Sequence, residues 1–79
     1  MSASFKIPPK LEDDGSYEAW KRDVQIWGKL TDLDVKKQAL ALHLSLSGKA
    51  RIASSELEIS VLESEKGVEK LLKKLDDIF

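Results

Sequence analysis

The chain has 79 residues, 13 Lys+Arg against 14 Asp+Glu, one His and no Cys, for a formal charge of −1. Without Cys there is no disulfide framework, thiolate metal site or zinc knuckle, and a near-neutral balance argues against a surface built to neutralise phosphates. Surface scaling leaves roughly 4,800 Å² exposed out of about 12,900 Å² unfolded, which is room for one core and no second domain.

Residues 1–15 hold Pro8, Pro9, the acidic run Glu12-Asp13-Asp14 and Gly15, with no helical period. They read as an extended arm and turn, because Pro8 drives Ile7 toward β or polyproline geometry. Phe5, Ile7 and Leu11 are larger apolar groups than a free tail needs, so the arm is expected to lie along the helices or along a partner.

Residues 16–79 read as one all-α domain, a small bundle of four to five helices behind the proline-containing arm. Ser16 is a good N-cap, with Glu18 in the first turn. At 100° per residue Trp20, Val24, Trp27 and Leu30 fall in one apolar sector, with Glu18, Lys21, Arg22, Gln25 and Lys29 opposite, so a helix runs to about Thr31. Asp23 falls inside that sector and is expected at its rim or paired with a cation such as Arg51, since an unpaired buried carboxylate is costly.

Asp32 or Asp34 can cap a second helix ending near Leu46. Val35, Ala39, Leu42 and Leu46 form one stripe, while Leu40 and Leu44 project from nearly the opposite side. This helix has two apolar faces, so either its neighbours wrap it or the second face is a contact surface. Ser47-Gly48 breaks the run, and Ser47 can cap a short third helix in which Ala50, Ala53 and Leu57 share a face. Ser60 and Glu63 have the capping-box spacing, which predicts a helical turn before Gly67. A last helix follows: Val68, Leu71, Leu72, Leu75, Ile78 and Phe79 keep one register, with Glu69, Lys70, Lys73, Lys74, Asp76 and Asp77 opposite. The register is still active at Phe79, which is expected to lead into further chain. The core candidates are Trp20, Val24, Trp27, Leu42, Leu46, Leu71 and Leu75; the interface candidates are Phe5, Ile7, Leu40 and Leu44.

Catalytic chemistry finds little to work with. Nucleophilic catalysis would need a serine beside a positioned base, and His43, between two Leu on a helix, reads as structural. Asp13-Asp14 and Asp76-Asp77 are sequence neighbours, which diverge by about 100° on a helix rather than share a proton. No metal-ligand spacing, P-loop or dinucleotide fingerprint is present, so the chain is expected to be no enzyme and to take no cofactor or metal. Trp20 and Trp27, seven residues apart, read as core anchors rather than base-stacking platforms.

The longest apolar stretch, 39–46, is too short to span a bilayer, and the N-terminus lacks the pattern of a secretory signal. A cytoplasmic protein is expected. Charge is unevenly placed: Lys36, Lys37, Lys49 and Arg51 fall in 35–51 with no acid, and Glu56, Glu58, Glu63 and Glu65 in 52–65 with no base. These blocks read as solvated faces with local pairing, or as patches that meet between molecules.

The order Pro8-Pro9-Lys10-Leu11, Asp14-Gly15-Ser16-Tyr17-Glu18-Ala19-Trp20, Ala39-Leu40-Ala41-Leu42, Leu46-Ser47-Gly48-Lys49-Ala50 and Gly67-Val68-Glu69-Lys70-Leu71-Leu72 resembles the start of Gag polyproteins of LTR retrotransposons. The resemblance covers most of residues 7–79 and rests on order and spacing. It implies a capsid N-terminal lobe that self-associates into a shell, in an active or domesticated element, with Trp20, Gly48 and Ala50 structural. A homo-oligomer formed through a longer parent protein is the expected partner state, with direct nucleic-acid binding by this segment not expected. The competing expectation is a domesticated Gag-derived module that takes a peptide ligand in a groove closed by Phe5 and Ile7.

Overall fold

The computed structural model describes residues 7–12 and 15–79. Five helices follow one another in it, α1 (Tyr17–Leu30), α2 (Val35–Ser45), α3 (Gly48–Ser54), α4 (Ile59–Leu62) and α5 (Gly67–Asp76), with no strand among the described residues. The all-α expectation is met.

Local chemistry sets the joints. Ser16 is extended, and its Oγ accepts from the Ala19 N–H at 3.2 Å, satisfying one open donor of α1. Beyond α1, Thr31 Oγ1 accepts from the Leu33 N–H at 3.2 Å, and Asp34 Oδ1 accepts from the Lys36 N–H at 2.8 Å to open α2. Gly48 begins α3 at φ 60°, the left-handed region where a side chain is strained. Ser47 stands at the N-cap of α3 without a side-chain cap bond. The capping box at Ser60 and Glu63 does not form: α4 starts at Ile59 with Glu58 in the cap position, so Ser60 lies inside the turn.

The expected core residues are all enclosed. Leu42, Leu71 and Leu75 are 0% exposed, and Val24, Trp20, Trp27 and Leu46 join them with Tyr17, Ala39, Ala50, Ala53, Leu62 and Leu72. α5 packs against α2, α3 and α4 at close backbone distance, and α2 also meets α3 and α4. α1 stands further off, at the spacing set by Tyr17, Trp20 and Trp27, because interaxial distance grows with the side chains between the helices. The Cα extents of 38 × 29 × 16 Å describe a slab about two helices thick.

One expectation about the apolar stripes is corrected. Leu30 and Val35 lie in the right sector, but at the end of α1 and the start of α2, where the slab no longer covers them; both are exposed. Asp23 is exposed on α1, which fits the rim position rather than the pairing with Arg51. α5 stops at Asp76, and the Phe79 ring, which stays half-exposed, stacks on Tyr17 with centroids 4.8 Å apart and planes at 9°.

Gly67 permits the tightest approach. A Cβ there would sit 2.1 Å from the Leu62 carbonyl oxygen and 3.0 Å from the Ala39 Cβ. A Cβ on Gly28 would meet only the Gln38 Oε1, at 3.4 Å, the far end of a flexible side chain. The same substitution should therefore have opposite signs at the two sites. Urea denaturation is expected to show Gly67→Ala losing about 1–3 kcal/mol and Gly28→Ala unchanged or gaining up to about 1 kcal/mol; equal losses would contradict this packing.

Candidate interaction surface

A helix in a two-layer slab buries one stripe and presents the other to solvent, so the character of the outer stripe decides what the surface can do. On α2, Ala39 and Leu42 are fully buried, and Leu44, about 200° around from Leu42, is 69% exposed. On α3, the buried Ala50, Ala53 and Ser54 leave Ile52 outside at 69% exposure. On α4, Leu62 turns in and Ile59 stands at 72% exposure. Each of three successive short helices thus carries at least one large aliphatic side chain in water.

The four expected interface residues divide. Leu44 is outward. Leu40 is half-buried and packs against the core cluster, because α2 has neighbours on more than one side. Ile7 is 84% exposed. Phe5 lies outside the described residues. What fixes the arm is the Trp20 Nε1–H, which donates to the Pro9 carbonyl at 3.0 Å, with Pro8 buried and Leu11 packed on the core. Trp20 therefore both fills the core and holds the arm.

Charge among the described residues is locally mixed. Lys36 and Lys37 share a shallow depression with Asp34 and Glu63, Glu56 pairs with Lys74 at 2.6 Å, and the Lys49 Nζ lies 4.6 Å above the Phe79 ring. No group of His, Asp and Glu that could hold a metal occurs among the described residues. No helix among them is long and apolar enough to cross a membrane.

Two polar arrangements were not legible in the sequence. The Tyr17 hydroxyl shares its proton between the Asp76 carboxylate at 2.6 Å and the Leu72 carbonyl at 3.1 Å, and the Lys21 Nζ donates to both Asp76 oxygens at 3.0 Å. The bond from Tyr17, reinforced by Lys21, holds the Asp76 carboxyl below its ordinary range, while burial and then Asp76 push the Tyr17 phenol well above its own. This cluster staples α1 to α5 across more than fifty residues of chain. The available signal was Tyr17 and Lys21 one turn apart on α1, and it named no partner.

The second is His43, whose Nδ1 lies 2.7 Å from the Ser54 Oγ and joins α2 to α3. Ser54 is 0% exposed, so its hydroxyl is closed to a substrate and the bond is one between packed helices. Burial first, and then Arg51, lower the His43 pKa below its ordinary 6.5.

Comparison with known proteins finds no family model, no curated protein and no solved structure that the chain matches.

The lowered His43 pKa fixes the sign of a pH effect. As pH falls, the unfolded chain takes up the imidazole proton first, so this stabilisation is present above 6.5 and is lost as pH falls through the lower folded value. The urea midpoint should drop between about pH 7.5 and about pH 5.5, and the drop should be smaller in His43→Gln. A midpoint that rises on acidification would contradict the assignment.

Proposed function

We propose that the chain is a structural self-assembly module of the capsid type, contributing contacts between copies as in the Gag-like proteins that its sequence order resembles. The observation that supports this most is Leu44, exposed on the face of α2 opposite Ala39 and Leu42, with Ile52 and Ile59 outward on α3 and α4. Single exposed aliphatics are ordinary on a protein surface. Three on consecutive short helices are a costly way to finish a slab unless something covers them.

The physics of such a module is weak pairwise attraction multiplied by repetition. One small contact is worth little against the loss of translational and rotational freedom. Contacts repeated around a closed or extended lattice reinforce one another through effective concentration. Locally mixed charges suit that task better than phosphate binding, because they fix register between copies without a large repulsive field.

Sedimentation equilibrium tests the reading. The chain should self-associate over the micromolar to millimolar range, and Leu44→Asp should weaken association by about tenfold or more, the cost of burying a carboxylate at a contact. Circular dichroism of the variant should stay helical. A chain that remains monomeric throughout, or a variant that associates as before, would refute the role of this face.

A further inference from the structure

Three hydroxyl residues carry an acid three positions on: Thr31 with Asp34, Ser55 with Glu58 and Ser60 with Glu63. That spacing serves either to cap a helix or to present a hydroxyl to a kinase whose substrate groove is cationic. The structure separates the three. Thr31 Oγ1 accepts from the Leu33 N–H, and Asp34 is engaged in capping α2. Ser55 Oγ donates to the Arg51 carbonyl at 2.8 Å. Ser60 is exposed, caps nothing, and its hydroxyl makes no hydrogen bond among the described residues.

Charges of both signs surround it. Glu58 and Glu63 flank it in a segment with no base between 52 and 65. Across the surface Ser60 shares a shallow depression of about 420 Å³ with Lys36 and Lys37, in the first turn of α2, and with Asp34 and Glu63. Neither lysine is ion-paired among the described residues.

We propose that Ser60 is a phosphoacceptor for an acid-directed serine/threonine kinase and that Lys36 and Lys37 receive the phosphate. In the transfer the Ser60 Oγ attacks the γ-phosphorus of ATP. The Oγ–P bond forms, the bond from that phosphorus to the β,γ-bridging oxygen breaks, ADP leaves, and the hydroxyl proton passes to the kinase's base. The product carries about −1.5 to −2 at pH 7 and three strong acceptor oxygens. Asp34 and Glu63 repel it, and the two ammoniums, on longer stems, close on it with charge-assisted bonds that tie α4 to the start of α2. This inference is independent of the assembly reading.

The test incubates the whole chain with a purified acid-directed kinase and Mg–ATP, maps the phosphate by mass spectrometry, and uses a peptide of residues 52–67 as the unstructured control. The peptide should accept phosphate at both Ser55 and Ser60. The folded chain should be modified at Ser60 about tenfold faster than at Ser55 or Thr31, and Ser60→Ala should abolish most of the incorporation. Modification chiefly at Ser55 or Thr31, a folded chain left unmodified while the peptide is labelled, or an unlabelled peptide would each overturn the acceptor assignment. In phosphorus NMR titrations the phosphate should ionise at lower pH in the folded chain than in the peptide, and Lys36→Gln with Lys37→Gln should return it toward the peptide value. Identical titration in chain and peptide would overturn the receiving role of the lysines.

Discussion

Everything in this fold leans on α5 lying flat against the others, and that depends on Gly67 having no side chain. The Leu62 carbonyl, at the end of α4, and the Ala39 methyl, on α2, occupy the space that a Cβ would take. Once α5 is seated there, Leu71 and Leu75 reach full burial between α2, α3 and α4. Small residues do the same on α3, where Ala50, Ala53 and Ser54 form the inner face. Close packing through small side chains makes a thin slab, whereas α1, carrying two tryptophans and a tyrosine, closes the remaining side at longer range.

The slab geometry has a direct consequence for function. Short helices packed in this way leave in water any apolar residue that no neighbouring helix reaches. Leu44, Ile52 and Ile59 are such residues. A soluble monomer with no use for them would do better with polar side chains at all three positions. The proposed assembly role is the reading that gives these side chains work, and it requires no pocket, metal or catalytic pair.

The long, strongly periodic parts were legible in the sequence because local rules and tertiary packing agree there. Ser16 and the Trp20, Val24, Trp27 spacing define α1 without reference to anything else, and the Leu71, Leu72, Leu75 register does the same for α5. The half-burial of Leu40 was not legible, because angular position on an isolated helix says nothing about how many neighbours the helix has. The Ser60–Glu63 box does not form because capping depends on where the turn begins, and the chain starts α4 two residues earlier than the capping-box spacing requires. The Tyr17–Asp76–Lys21 cluster and the Phe79 stack join opposite ends of the sequence, and no local pattern encodes which ends will meet. Of the candidate surface, Leu44 was visible beforehand; Ile52 and Ile59 became significant only when the structure showed what α3 and α4 bury.

The central claim is that the outward aliphatics of α2, α3 and α4 are where copies of this chain touch, and methyl-resolved NMR over a dilution series tests it most directly. Leu44, Ile52 and Ile59 methyl signals should shift and broaden together as concentration rises, while those of Leu42, Leu71 and Leu75 stay fixed. Signals independent of concentration, or changes confined to other surfaces, would contradict the account.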